Sequence, residues 1–291
     1  MKKNTLSSRQ ARIGYLFSAP WALGFCAFTA YPLLFSLYMS TRAVTITANG
    51  IVSEPMGLRN FSYAFTLDMG FIMALLDAIK FVGIITPLVI ILSFVIGLIL
   101  AKPIKLKGFF RTVYFFPVVI ISGSLMSLLE GSGMFSIINF EQSGVFRTLS
   151  AAGLGVFWDV VKFLVSNIFT VLWFSGVQIL IYISGIQKLN RAMYEAAWID
   201  GASGWQCFWK ITIPCTAQFT LINVVYTTVT LATFSANGVI EKIRVDMFGS
   251  RQFQGMGYAS AMAWIYFFVI IVMLLIYIVL SGAGRGKTGK V

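Results

Sequence analysis

The chain has 291 residues, of which 58% are hydrophobic and only 11% are charged, and its formal net charge is +12 at neutral pH. Soluble domains carry far more charge, so this composition indicates a polytopic helical membrane protein. The sequence contains no histidine, which excludes histidine-based catalysis and histidine-ligated haem or zinc. We therefore expect no catalytic residue, no metal site and no cofactor.

Six apolar segments are long enough to cross a membrane, since a helical crossing needs about 20 residues. We predict an all-α polytopic protein with a cytoplasmic N-terminus at 1–12, a six-helix domain at 13–280 and a cytoplasmic tail at 281–291. The first segment is too long for a signal peptide, whose apolar core has about 7–15 residues. The predicted spans cover residues 13–40, 71–100, 109–129, 163–186, 216–235 and 259–280.

The loop over 41–70 connects the first two spans, and its segment Gly57–Phe65 predicts a helix at the membrane interface. In the second span, Asp77 and Lys80 stand three residues apart, so they can form an ion pair. Asp77 is the only acidic residue within a predicted span. Because ion-driven carriers usually keep acids at mid-membrane, this scarcity argues against a secondary transporter.

Basic residues are distributed unevenly between the two sides that six spans define. The predicted cytoplasmic segments hold fourteen Lys and Arg residues against two acids, whereas the opposite side holds seven of each. The excess positive charge lies on one side, as the positive-inside rule requires. This layout explains the net charge without nucleic-acid binding. The three cysteines predict no disulfide framework, because they lie within a span or near the cytoplasmic side, where thiols stay reduced.

Polar and aromatic side chains follow helical spacing along the fourth and fifth spans. Polar groups in a bilayer need partners, either neighbouring helices or a wet cavity, and the sequence leaves both alternatives open. The aromatic and amide pattern of the fourth span suits a sugar, whose C–H face stacks on rings while its hydroxyls form hydrogen bonds. The candidates are Trp173, Phe174 and Gln178 on the fourth span and Asn223, Tyr226, Thr227, Thr230, Thr233 and Phe234 on the fifth.

A polar segment, residues Gln187–Pro214, separates these two spans. Asn190 can cap a short helix over Arg191–Asp200, and Gly201 supplies the left-handed residue that ends it. Ser203 can open a second helical turn, and Pro214 suits the start of the next span. Its aromatic flanks are typical of a membrane interface; they are Trp198, Trp205, Phe208 and Trp209.

This segment resembles the EAA signature of ABC importer permeases. Glu195-Ala196-Ala197 and Asp200-Gly201-Ala202 are followed by Phe208, Ile211 and Ile213-Pro214 at the spacing of that signature. Similar passages occur at Gly57–Phe61, Arg111–Pro117 and Gly257–Trp264, and the resemblance extends from the first span to the sixth. It implies the type I ABC importer permease (MetI-like) fold with six transmembrane helices.

The resemblance is to the carbohydrate-type permeases of binding-protein-dependent importers, and it implies a multi-pass protein of the cell membrane. We expect half of a heterodimeric pore, with a second permease subunit, two cytoplasmic ATPase subunits that hydrolyse ATP, an extracytoplasmic solute-binding protein and membrane lipid as partners. In such permeases the fourth and fifth spans line the cavity, and the EAA segment is a coupling helix that docks on the ATPase. Here its residues would be Glu195, Ala196, Ala197, Asp200, Gly201 and Ala202.

Two alternatives remain open at this point. One is a permease of the same fold for another solute, such as glycerol phosphate or a polyamine. An anionic solute needs cations and a polyamine needs acids, and the fifth span offers neither. The other is an ion-coupled secondary carrier. A nucleotide site on this chain is not expected, because the glycine-rich tail lacks the strand and the helix that a phosphate loop needs.

Overall fold

The computed structural model describes residues 5–47, 50–102, 108–109, 112, 167–234, 237–249 and 255–281. Almost all of the predicted third span, the loop at 130–162 and the tail after Ser281 lie outside the described residues. The described part is helical apart from one two-stranded sheet. The elements are α1 (Thr5–Phe25), α2 (Tyr31–Ser40), β1 (Arg42–Thr47), β2 (Gly50–Pro55), α3 (Arg59–Thr66), α4 (Met69–Ala101), α5 (Ile168–Gln187), α6 (Arg191–Ile199), α7 (Gly204–Cys207), α8 (Ile213–Ala232), α9 (Gly238–Met247) and α10 (Met256–Leu280).

Within the described residues, five helical stretches are long and apolar enough to cross a membrane. They correspond to the first, second, fourth, fifth and sixth predicted spans, so the third span stays a prediction. A chain with this many apolar helices is a multi-pass membrane protein. The five stretches are Gln10–Ser40, Met69–Ala101, Thr170–Gln187, Gly204–Ala232 and Met256–Leu280.

Two π-helical segments of five residues continue one helix into the next: Cys26–Ala30 joins α1 to α2, and Phe208–Thr212 joins α7 to α8. In both cases a proline, Pro32 or Pro214, follows in the first turn of the next helix. Proline lacks an amide hydrogen and its ring crowds the carbonyl one turn earlier; a wider π turn relieves this crowding. Pro214 lies in the first turn of α8, as the sequence predicts, and the helical run continues through it without a break.

The predicted loop over 41–70 contains a β-hairpin, which the all-α prediction missed. β1 and β2 pair antiparallel, with Arg42 opposite Pro55 and Thr47 opposite Gly50. Both strands contain β-branched residues, which favour a pleated conformation. The predicted interfacial helix is present as α3. The buried side-chain amide of Asn60 ties α3 to the chain before it, since it donates to the carbonyl groups of Ser40 at 2.9 Å and Arg42 at 3.0 Å.

The chain divides into two compact units, and the described residues of Met1–Leu76 and Gly238–Val269 form the first. In this unit the Lys242 ammonium lies 3.1 Å from the carboxylate of Asp68 and 2.7 Å from that of Asp246. The Tyr258 hydroxyl donates to Asp68 at 2.8 Å. These contacts join the residue that precedes α4 to α9 and to the first turn of α10.

Asp68 and Lys242 are both charged at neutral pH. Burial alone would raise the pKa of Asp68, but hydrogen bonds from the Phe71 amide, Tyr258 and Lys242 outweigh burial and hold this pKa below its ordinary value. Burial alone would lower the pKa of Lys242, but Asp246 and Asp68 raise it above its ordinary value. The ammonium group thus offsets part of the negative charge of the two carboxylates that it joins.

The described residues of Asp77–Asn237 and Ile270–Val291 form the second unit. The Ser93 hydroxyl donates to the carbonyl of Ser175 at 3.3 Å and so joins α4 to α5. The predicted ion pair on α4 is confirmed, because the Lys80 ammonium lies 3.7 Å from the Asp77 carboxylate. Both side chains are exposed, so the pair contributes little to stability.

Gly257, in the first turn of α10, approaches the backbone of β1 so closely that a Cβ atom there would overlap the carbonyl oxygen of Arg42. We predict that Gly257→Ala lowers the free energy of unfolding by about 1–3 kcal/mol, because the backbone has to move to admit a methyl group. The measurement is the thermal unfolding midpoint of the detergent-purified protein. Gly14→Ala is the control, since a Cβ atom there meets nothing within 4 Å. Equal midpoints for the two variants would contradict this packing.

Candidate functional site

The segment between α5 and α8 has the helix caps that the sequence predicts. The side-chain oxygen of Asn190 accepts a hydrogen bond from the Ala192 amide at 2.9 Å and begins α6. Gly201 takes a φ of +77°, a left-handed conformation that favours glycine and ends the helix. Ser203 then begins α7 through a capping box with Gln206. With both ends capped, α6 is a defined helix of nine residues.

One side of α6 faces away from the rest of the described chain, and most of the predicted EAA residues lie there. The two exceptions are turned partly inward, so the small side chains of the signature do not all share one environment. The exposed residues are Glu195, Ala196, Asp200 and Gly201, and the half-buried residues are Ala197 and Ala202.

Ile199 belongs to the same exposed side, although sequence analysis did not single it out. Its side chain is 86% exposed, and it lies one turn after Glu195 and Ala196, so the three residues share a helix face. The sequence feature that could have identified Ile199 is its large aliphatic side chain at the end of a short polar helix. Glu195 has a partner on its own helix, because Arg191 lies 3.4 Å away in an exposed ion pair. We call the face formed by Glu195, Ala196 and Ile199 the α6 outer face.

The other side of α6 contacts the helical run that follows. The hydroxyl groups of Tyr194 and Thr212 lie 2.9 Å apart and form a hydrogen bond. Thr212 is buried and is the last residue of the π-helical segment Phe208–Thr212. Ala197, one turn after Tyr194, is turned to the same side and is half-buried. The helix therefore has an outer face and an inner, bonded face.

Three aromatic rings cluster at the start of the run Gly204–Ala232. The Trp205 centroid lies 5.8 Å from that of Phe208 and 5.6 Å from that of Trp209, and both tryptophans are exposed. A helix of 29 residues is roughly 43 Å long, whereas the hydrocarbon core of a bilayer is about 30 Å thick. The run is therefore longer than the hydrocarbon core is thick. Tryptophan is favoured at the boundary of that core.

The polar candidates on α5 and α8 fall into two sets, and the first is buried between these helices. The side-chain amide of Gln178 donates to the Thr227 hydroxyl at 2.9 Å, and the amide of Asn223 donates to the backbone carbonyl of Gln178 at 3.4 Å. All three side chains are fully buried. Bonds of this kind hold helices together in a membrane. These three residues therefore join α5 to α8, which is one of the two alternatives that the sequence leaves open.

The buried set also contains oxygen atoms that have no hydrogen-bond partner among the described residues. These atoms are Oε1 of Gln178 and Oδ1 of Asn223; a third such atom is Oγ1 of Thr228, a buried residue of α8 next to Thr227. An unpaired buried acceptor costs about 1–3 kcal/mol, so proteins normally supply such atoms with a donor. The first two oxygens can accept hydrogen bonds from a hydroxyl-bearing molecule.

The second set is more open in the part of the chain that the structure describes. The hydroxyl of Thr230 donates to the carbonyl of Tyr226 at 2.7 Å, and that of Thr233 donates to the carbonyl of Val229 at 2.9 Å. Tyr226 and Thr233 are exposed and Thr230 is half-buried. These hydroxyl groups bond only to their own helix, so they do not join α8 to α5.

Aromatic candidates lie beside both sets. Phe174 is buried on α5, and its ring meets that of Phe234 edge to face with centroids 5.1 Å apart. Trp173 is half-buried on the same helix. The structure thus brings together Phe174 with Phe234, and Gln178 with Asn223 and Thr227. Among the described residues, no side-chain hydrogen bond connects Tyr226, Thr230 or Thr233 to α5.

No protein-family model matches the chain, but curated relatives do. The probable ABC transporter permease protein YesP of Bacillus subtilis strain 168 is 29% identical over 286 residues, which cover 91% of this chain and 89% of the relative. The probable ABC transporter permease protein YurN of the same organism is 33% identical over 228 residues, covering 74% and 73%. The lactose transport system permease protein LacF of Rhizobium radiobacter is 29% identical over 227 residues, covering 74% and 71%.

A solved structure has a similar fold. It is the crystal structure of a bacterial ABC transporter involved in the import of the acidic polysaccharide alginate. One of its chains aligns with 96% of this chain and 97% of its own length, with a TM-score of 0.57 and 20% sequence identity. At this identity the likeness concerns the fold.

The hydrogen bond from Gln178 to Thr227 generates a test of packing. We predict that Thr227→Val lowers the free energy of unfolding by roughly 1–2 kcal/mol, because it leaves a buried amide without its acceptor. The measurement is reversible unfolding in mixed micelles titrated with SDS. Thr230→Val is the matched control on the same helix and should change stability by less than about 0.5 kcal/mol, since the Thr230 hydroxyl bonds only to its own helix. A larger loss in the control than in Thr227→Val would refute the assignment.

Proposed function

The chain belongs to the family of ABC transporter permeases, and from this premise we propose that it forms half of the pore of an importer for a sugar or oligosaccharide. The lactose permease protein among its relatives and the alginate importer of similar fold support a carbohydrate as the solute. None of the nine candidate side chains on α5, on α8 and at the two positions that follow α8 carries a formal charge. Neutral hydroxyl and amide groups suit a sugar better than glycerol phosphate or a polyamine.

The proposed assembly has five components in addition to lipid. This chain pairs with a second permease subunit, two cytoplasmic ATPase subunits bind the pair, and a solute-binding protein delivers the solute from outside. ATP hydrolysis takes place on the ATPase subunits, and this chain performs no covalent step. The N- and C-termini lie in the cytoplasm, as the uneven distribution of Lys and Arg supports.

The observation that carries the coupling proposal is α6 itself. A nine-residue helix with both ends capped is a rigid body that a partner can move. Its outer face offers an aliphatic side chain, a small alanine and an acid, a composition that fits a groove on a protein. Its inner face is bonded to the run that leads into α8. A partner that binds α6 differently in two nucleotide states would shift the permease between two conformations.

The path proposal rests on the candidates of α5 and α8. The unpaired oxygens of Gln178 and Asn223 offer acceptors for sugar hydroxyls. Trp173, Phe174 and Phe234 offer aromatic surface. Polar hydroxyl groups at Thr230 and Thr233, together with Tyr226, extend the polar surface along the more open side of α8.

We predict that Ile199→Asp disrupts docking of the ATPase. Losing a buried isoleucine from an interface costs about 1.5–3 kcal/mol, so the affinity should fall roughly tenfold or more. The measurement is the amount of ATPase subunit that co-purifies with a tagged chain from its native membrane, together with membrane insertion of the chain. Glu195→Lys, which reverses the charge on the same face, should act in the same direction.

A matched pair of glycine variants tests the shape of the segment. Gly201→Val forces a β-branched residue into a left-handed conformation, so it should reduce ATPase co-purification. Gly204→Val alters an exposed glycine of the same segment that has no such conformation and no neighbour within 4 Å, so most of the ATPase should be retained. Undiminished co-purification in Ile199→Asp, Glu195→Lys and Gly201→Val would refute the coupling role.

The substrate path has a separate test. We predict that Thr230→Val combined with Thr233→Val changes the preference among labelled lactose, an alginate oligosaccharide, glycerol 3-phosphate and putrescine, with the ATPase still bound. The measurement is uptake of each solute by cells that express the assembled system. Transport that is unchanged for every solute would remove these hydroxyl groups from the proposed path. Uptake that survives ATP depletion but stops with an ionophore would instead favour an ion-coupled carrier.

A further inference from the structure

One hydrogen bond joins the inner face of α6 to the base of the fifth span. Tyr194 places its hydroxyl 2.9 Å from that of Thr212. The Thr212 side chain is 6% exposed, so the bond is shielded from water on that side. The bond as a whole is partly buried. Hydrogen bonds are directional and weaken when either partner moves away.

Thr212 lies at an irregular position in the helical run. It ends the π-helical segment Phe208–Thr212, in which the Ile213 amide donates to the carbonyl of Phe208. Pro214 has no amide hydrogen, so the run cannot form a regular α-helical bond at that residue. π-helical turns inside α-helices are frequently found at functional sites. We call this segment together with Pro214 the π joint.

Further bonds tie Thr212 to both sides of the π joint. Its hydroxyl also lies 3.4 Å from the carbonyl of Cys207, before the joint. Its backbone carbonyl accepts a hydrogen bond from the Thr216 hydroxyl at 2.8 Å, one turn into α8. A displacement of the Thr212 side chain therefore acts on helix geometry before and after the joint.

The covalent connection from α6 to the π joint runs through the turn Asp200–Ser203, which includes Gly201 in its left-handed conformation. The hydrogen bond between Tyr194 and Thr212 is a second connection between the same two elements, made by side chains.

We propose that Tyr194 is the positioning residue through which a movement of α6 reaches the π joint and thereby the fifth span. This inference rests on the proposed docking of an ATPase on α6. It adds a specific route to that docking: the partner binds the outer face of α6, and the phenol hydroxyl on the inner face carries the displacement to Thr212.

The test uses the assembled complex, co-purified with the tagged chain and reconstituted in nanodiscs, with ATP plus orthovanadate as the nucleotide trap. Amide hydrogen exchange is followed in two segments, Arg191–Ile199 and 208–216, with and without the trap. In the unaltered complex both segments should respond. In Tyr194→Phe the response of Arg191–Ile199 should persist, whereas that of 208–216 should fall at least about threefold, which corresponds to loss of roughly 0.65 kcal/mol of coupling.

Two further variants sharpen the test. Thr212→Val removes the partner hydroxyl and should reproduce the effect, and the double variant should be no worse than either single one, because both remove the same bond. Tyr15→Phe is the matched control: it removes the same phenol hydroxyl from an exposed side chain on α1, so both segments should keep their response.

The outcomes separate the two proposals. A full response at 208–216 in Tyr194→Phe would overturn the role of Tyr194 and leave the docking intact. The same holds if Tyr194→Phe raises exchange equally with and without the trap, since that is the behaviour of a residue that only stabilises the fold. No response of Arg191–Ile199 in the unaltered complex would overturn the docking on α6, and this inference with it.

Discussion

The lack of water in the hydrocarbon core is the constraint on which this structure depends, because every polar group there needs a partner within the protein. The five apolar stretches satisfy their backbone groups as helices. Where Pro32 and Pro214 remove an amide hydrogen, the preceding residues adopt π-helical turns. Side chains obey the same constraint. Gln178 and Thr227 bond to each other across two helices, and Thr230 and Thr233 bond to carbonyl groups of their own helix.

The segment between α5 and α8 differs from the spans, because it is polar and mostly exposed. Helix caps, and not extensive burial, stabilise its short helices. The side-chain oxygen of Asn190 accepts a hydrogen bond at the start of α6, and that of Ser203 does so at the start of α7. The left-handed Gly201 ends α6. A helix held in this way keeps a face free for another molecule. The inward bond from Tyr194 to Thr212 joins this capped helix to the run that follows it.

Features that depend on neighbouring residues were predictable from the sequence, and features that depend on distant ones were not. The caps at Asn190 and Ser203 and the left-handed Gly201 follow from local chemistry, as do the apolar spans. The hairpin β1–β2 was missed because membrane composition favours an all-helical interpretation, although its strands are rich in β-branched residues. Which polar residues of the fifth span are buried and which are exposed could not be predicted, since helical spacing does not reveal which face of α8 packs against α5.

The difference between buried and exposed residues determines which side chains can exchange hydrogen-bond partners at little energetic cost. In the proposed path, a solute that takes the hydroxyl of Thr230 away from the carbonyl of Tyr226 leaves that carbonyl in a helix whose backbone bonds are intact, so the exchange costs little. When the amide of Gln178 leaves Thr227, a buried donor loses its acceptor and the contact between α5 and α8 weakens. Reversible contacts with a moving solute are therefore compatible with Thr230 and Thr233. The donors of Gln178 and Asn223 are committed to holding the helices, and only their unpaired oxygens remain for a solute.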